Sequence, residues 1–183
     1  MKTLFLSIGH NWGRNGKAID QGATGNGTTE AAESKKYVDA IIARGIPGVK
    51  LVKVPEGLNL TERIAWINKN LAKYPEPFAI EFHMDAATAA ATGATVYYND
   101  ANTYTENEGK QFLAEYTRIT GLVSRHVISD TKNRHGQLGF VSDVKCASLL
   151  IETGFISNKN DLATVRQKGA DAIIAGVNAM NAR

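Results

Sequence analysis

The stretch Leu150-Ile-Glu-Thr-Gly-Phe-Ile-Ser-Asn158 ends an apolar run in a carboxylate, Glu152, and follows it with turn-forming residues. A charged group at the rim of a buried strand needs a partner or a task. In open α/β sheets the binding crevice lies at the carboxyl ends of the strands, so Glu152 is a candidate for chemistry there. Three other residues could share that rim: His10 after Leu4-Phe-Leu-Ser-Ile8, His83 after Phe78-Ala-Ile-Glu-Phe82, and Glu30 at the start of a helical pattern. Two imidazoles and a carboxylate form a zinc set of the hydrolytic kind, with three protein ligands and a fourth position for water.

Each residue also has a plainer reading. The histidines could be hydrogen-bonded rim residues, and Glu30 could be a first-turn carboxylate that complements the helix dipole. Glu152 could be tied to backbone amides or an arginine. The four lie far apart in sequence, and the helix-borne His-Glu-x-x-His pair is absent, so only their shared place at strand ends and a helix start joins them. The glycines of Gly22-Ala-Thr-Gly25-Asn-Gly27 match neither the dinucleotide fingerprint nor the P-loop and read as loop. His126 and His135 sit in polar surroundings and read as exposed, with His135 beside Arg134 as an alternative substrate contact.

The elements that must position these groups alternate along the chain. The pattern predicts strands over 4–8, 49–54, 78–83, 94–98 and 146–152, with helices over 29–44, from Leu60 to Leu71, over 106–124 and over 167–180. A long Gly/Asn-rich loop over 9–28 follows the first strand, and such loops often carry function. Strands alternating with helices imply an α/β fold, a single domain with a mainly parallel twisted sheet flanked by helices.

At 183 residues the chain can bury roughly two-thirds of its unfolded surface and needs no staple. The net charge of +3 and pI of about 8.9 favour anionic surroundings mildly. No basic stripe with interleaved aromatics suggests nucleic acid, and no run is long enough to span a membrane. The single cysteine, Cys146, excludes an intramolecular disulfide and a cysteine-based zinc ribbon, and it reads as a buried strand residue. The first residues lack the hydrophobic region and cleavage site of a secretion signal and read as the first strand.

Taken in order, Gly9-His10, Asp20-Gln-Gly-Ala23, Glu30, Leu60-Thr-Glu-Arg63 with Ala65 to Asn68, Phe82-His83-Met-Asp85, and Ile151-Glu-Thr-Gly-Phe-Ile-Ser-Asn158 followed by Asp161 resemble the zinc-dependent N-acetylmuramoyl-L-alanine amidases of bacteria and phage lysins. The resemblance spans almost the whole chain, and its final block is the most specific. It implies one zinc ion bound by His10, Glu30 and His83, with Glu152 as the catalytic carboxylate. It also implies cleavage of the amide between N-acetylmuramic acid and L-alanine of the peptidoglycan stem, by one catalytic domain over 1–183 without a separate wall-binding domain. Peptidoglycan is then the partner, with no nucleic acid or membrane, and the protein is expected to be a monomer. Without a signal peptide it would wait in the cytoplasm until released onto the wall, as phage lysins do.

Three departures from the family pattern stand out. The distance from His10 to Glu30 is stretched, the usual His-x-Asn reads His83-Met-Asp85, and a small polar residue common two positions before that histidine is Glu81 here. Glu81, His83 and Asp85 share one face of a strand, so Glu81 could hydrogen-bond a ligand, repel Glu152, or pair with a basic residue. Trp12, Tyr97 and Tyr98 are candidate sugar or peptide contacts, although the two tyrosines face opposite sides. The rival functions are a zinc peptidase or carboxypeptidase acting on stem peptides, and an inactive wall-binding module.

Overall fold

The first strand, β1 (Thr3–Ile8), is buried at every residue, as expected of a parallel strand covered on both faces. The computed structural model describes residues 2–12, 18–132 and 136–181. After β1 the chain forms two short hairpins, β2 (Asn11–Trp12) with β3 (Ala18–Asp20) and β4 (Thr24–Gly25) with β5 (Thr28–Thr29). There follow α1 (Glu30–Arg44), β6 (Lys50–Lys53), α2 (Leu60–Asn70), β7 (Pro77–Asp85), β8 (Ala94–Tyr98), α3 (Thr103–Thr120), β9 (Ser124–Ser129), α4 (Gly139–Asp143), β10 (Ala147–Phe155) and α5 (Lys159–Asn181).

Six strands make one sheet in the order β6-β1-β7-β10-β8-β9. Strands β6, β1, β7 and β10 run parallel, β8 is antiparallel to β10, and β9 is parallel to β8. The chain leaves β1 through α1 to β6 on one side, then returns through α2 to β7 on the other. Right-handed crossovers in opposite directions put their helices on opposite faces. The strand order therefore reverses between β1 and β7, which opens a crevice at their carboxyl ends.

Alternation along the strands divides the core between the two faces. Leu4, Leu6, Ile80, Phe82, Leu149 and Ile151 pack under α1, α3 and α5. Phe5, Ala79 and Leu150 face the other way, against Ile64 and Ile67 of α2 and Phe140 of α4. The same alternation sends Glu81, His83 and Glu152 to the α2 side. Among the described residues, no helix is long and apolar enough to cross a membrane.

Most predicted elements are present, with four corrections. The helix expected over 106–124 starts at Thr103 and stops at Thr120, where Gly121 takes the left-handed conformation. Ser124–Ser129 is instead the edge strand β9, whose first three residues are exposed. An edge strand with polar residues shows no apolar run to read. The closing helix starts at Lys159, well before Gln167, because Asn158 Oδ1 accepts the Asn160 and Asp161 amides at 2.9 and 3.2 Å. Finally, Glu152 is not the last residue of its strand: β10 continues to Phe155 past a register irregularity.

Candidate functional site

His10 follows the end of β1, His83 lies near the end of β7, and Glu30 is the first residue of α1. Thr29 caps α1 by accepting the Ala32 amide on its side chain, which sets Glu30 at the helix entrance. These three side chains each offer a donor atom, and the donors lie within 4.8 Å of one another. Glu30 sits between the imidazoles: its Oε1 is 2.8 Å from His83 Nδ1, and its Oε2 is 3.3 Å from His10 Nε2. Backbone amides fix both oxygens, Met84 N–H donating to Oε1 at 3.0 Å and Ala23 N–H to Oε2 at 2.9 Å. Burial by itself would raise the Glu30 carboxyl, but His83 and His10 outweigh it and hold the group below the usual range.

The far nitrogen of each ring meets a second carboxylate. His10 Nδ1 lies 2.8 Å from Asp20 Oδ2, and Asp20 is in turn held by the Gly22 amide at 2.9 Å. His83 Nε2 lies 3.1 Å from Glu81 Oε1. An imidazole that donates one N–H to a carboxylate presents the lone pair of its other nitrogen to a cation. Both remaining nitrogens face Glu30, so the donor set suits a zinc ion in composition and direction.

Glu81 is pinned from behind. Its Oε2 accepts Ser7 Oγ at 2.8 Å and Arg63 Nε at 2.9 Å, while Arg63 Nη2 also donates to the Gly9 carbonyl at 2.6 Å. The Glu81 and Arg63 side chains are only 2% and 6% exposed. Glycines permit this crowding: a Cβ at Gly9 would lie 2.3 Å from the His83 ring, and one at Gly22 would lie 2.4 Å from the His10 ring.

Glu152 pairs with His83 across the β10–β7 ladder. Its Oε2 is buried and has no hydrogen-bond partner among the described residues. Burial pushes its carboxyl up to about 8; His83 opposes this, and Glu30, Asp85 and Glu81 add to it. A carboxyl with one buried, unpartnered oxygen beside a cation-type donor set can exchange protons near neutrality. It opens on a cleft of about 440 Å³ lined also by Thr95, Tyr97, Arg125 and Lys132. A second cleft of about 250 Å³, with Leu60, Arg63 and Phe140 in its wall, meets the first at His83.

The four expected site residues, His10, Glu30, His83 and Glu152, thus converge at one end of the sheet. All three Glu81 alternatives occur: it hydrogen-bonds His83, pairs with Arg63 and adds to the raised Glu152 carboxyl. Tyr97 lines the cleft, while Tyr98 is buried. Cys146 precedes β10, and burial pushes its thiol up to about 12, which disfavours nucleophilic thiolate. His126 is exposed, His135 and Arg134 lie outside the described residues, and of Trp12 only the backbone is described.

Sequence reasoning did not single out Asp20, Arg63 or Arg125 for what they touch. Asp20 precedes a Gly that must adopt positive φ (Gly22, +66°), a turn signal that could have flagged it. Arg63 stood in the Leu60-Thr-Glu-Arg63 block of the resemblance, but its partner had no local signal, since Glu81 is on another element.

The sequence model of the N-acetylmuramoyl-L-alanine amidase family matches residues 4–179. No significant match was found among curated proteins. Among solved structures, the catalytic domain of the CD27L endolysin targeting Clostridia difficile is similar with a TM-score of 0.73 at 19% identity, covering 100% of this chain and 98% of that one. The amidase AmiC2 of Nostoc punctiforme gives a TM-score of 0.75 at 18% identity, covering 100% and 99%. Ami1 from Mycobacterium smegmatis gives 0.71 at 20% identity, covering 100% and 98%. At these identities the likeness concerns the fold.

Proposed function

Because the chain belongs to the N-acetylmuramoyl-L-alanine amidase family, we propose that it hydrolyses the amide between N-acetylmuramic acid and L-alanine with His10, Glu30 and His83 as the ligands of one zinc ion and Glu152 as the proton carrier. The observation that carries this reading is the convergence of three donor atoms within 4.8 Å beside Glu152, whose Oε2 is buried without a hydrogen-bond partner among the described residues. When bound, zinc would polarise the scissile carbonyl and lower the pKa of an attacking water to about 7.

The chain's own residues do the rest. Asp20 and Glu81 hold the two imidazoles in the orientation that turns His10 Nε2 and His83 Nδ1 toward Glu30. Glu152 accepts the proton of the attacking water and delivers it to the alanine nitrogen as the carbon–nitrogen bond breaks. Such general acid–base transfer contributes roughly 10² to 10⁴ in rate. Its desolvated setting keeps the carboxyl basic enough to take that proton and acidic enough to return it.

Zinc-loaded protein and a Glu152→Ala variant are incubated with purified peptidoglycan, and the fragments are identified by mass spectrometry. Free stem peptides beginning with L-alanine, lost in the variant, are expected. Cuts within the stem peptide would move the assignment to a peptidase, and bound protein with intact wall would make the chain a binding module.

A further inference from the structure

Four groups line up across four adjacent strands. His83 of β7 pairs with Glu152 of β10, Glu152 pairs with Thr95 of β8, and the β8–β9 ladder shifts register between Ala94 and Val96, so that Arg125 and His126 of β9 stand opposite Thr95. That shift is a β-bulge, two residues opposing one, and it places the non-glycine residue His126 at φ +81°. Bulges re-aim side chains and recur beside active sites, and a left-handed non-glycine residue is a strain that the surroundings must hold.

What the bulge aims is Arg125. Its guanidinium carbon sits 5.1 Å above the Phe155 ring, and one of its nitrogens donates to the Thr92 carbonyl at 3.4 Å. The platform beneath is braced by buried Asp161, which accepts the Phe155 and Gly93 amides at 3.0 Å each and the Thr92 hydroxyl at 2.6 Å. Gly93 leaves room for the arginine stem, since a Cβ there would lie 3.0 Å from Arg125 Cγ. No carboxylate pairs with Arg125 among the described residues. It is exposed, lines the same cleft as Glu152 and His83, and keeps its donors available.

We infer that Arg125 binds a carboxylate of the stem peptide on the residue after the departing alanine. This rests on the amidase reading of the site. Neighbouring strands are about 4.8 Å apart, so the bulge lies about 10 Å from the Glu152 backbone before the arginine side chain reaches back. An extended peptide advances about 3.5 Å per residue. The group in range is therefore a substituent of the second stem residue, and a planar guanidinium stacked on an aromatic ring matches a carboxylate by paired N–H donors. Arg125 would act in specificity: the favoured substrate is a stem whose second residue keeps its α-carboxylate free.

Two muramoyl dipeptides test this, both L-alanyl-D-glutamate with the γ-carboxyl blocked as a methylamide, one with a free α-carboxylate and the other with an α-carboxamide. The zinc-loaded wild type is expected to favour the carboxylate form by about 10- to 100-fold in kcat/KM, the size of one charge-assisted hydrogen bond. In Arg125→Ala this ratio should fall toward one through KM, and Arg125→Lys should restore part of it. Calorimetric titration of the carboxylate form into Glu152→Gln, with and without Arg125→Ala, reads binding without turnover and should show the same loss. Equal rates on the two forms in the wild type, or an unchanged ratio in Arg125→Ala, would overturn the inference while leaving the amidase reading intact. Cleavage of neither form by the wild type would overturn both.

Discussion

Glu81 stands two residues before His83 on β7, and its Oε1 lies 3.1 Å from His83 Nε2. The contact makes Glu81 a positioning residue for a proposed metal ligand, with Arg63 and Ser7 fixing its other oxygen. A carboxylate that orients a ligating histidine typically changes metal affinity 10- to 100-fold. Glu81→Gln should therefore weaken zinc binding by about tenfold or more, read by competition with a chromophoric chelator. Wild-type affinity in a folded Glu81→Gln protein would sink the idea.

Gly22 separates His10 from Glu30 at close quarters. A Cβ there would lie 2.4 Å from His10 Cδ2 and 2.6 Å from Glu30 Oε2, at a φ of +66° that side chains rarely adopt. Gly22→Ala is expected to displace both proposed ligands and leave less than one zinc per chain by elemental analysis. Full zinc content with unchanged affinity would show that the loop yields at little cost.

Zinc should also stabilise the fold, because its proposed ligands come from the segment after β1, from β7 and from α1, and unfolding separates them. At a free concentration one hundred times the dissociation constant, binding adds about 2.7 kcal/mol. Scanning calorimetry is expected to show a higher unfolding temperature with zinc, reversed by chelator and absent in His83→Ala. An equal rise in His83→Ala would place the ion elsewhere.

Acid stability should depend on Glu33, one turn along α1 from Glu30. Its side chain is 2% exposed and accepts Thr28 Oγ1 at 2.6 Å, Lys36 Nζ at 2.7 Å and Arg166 through two nitrogens at 2.9 and 2.7 Å. Burial opposes ionisation, yet these partners bring the carboxyl down from 4.5 to about 2. A group depressed on folding stabilises the protein above its unfolded value, and that contribution disappears as pH falls through the folded value. The contribution should be complete above about pH 5 and vanish toward pH 2. It is on the order of 2 kcal/mol once screening of the half-exposed cations is allowed for. Denaturant titrations of wild type and Glu33→Gln should differ by that amount at pH 7 and converge near pH 2; a constant gap would refute the linkage.

The sequence alone determined the strand–helix alternation, because buried parallel strands read as apolar runs and helices as a period of 3.6. It also marked His10, Glu30, His83 and Glu152, since charged or metal-binding residue types at strand ends and helix starts are visible without coordinates. It did not reveal β9, whose exposed edge lacks an apolar run. Nor did it reveal the start of α5, where Asn158 Oδ1 accepts the Asn160 and Asp161 amides. Tertiary structure alone decided the partnerships. Glu81 meets Arg63 because the crossovers bring α2 over β7. Arg125 reaches the cleft because a bulge in β9 turns it there, and local sequence carries no signal for which strand will lie alongside.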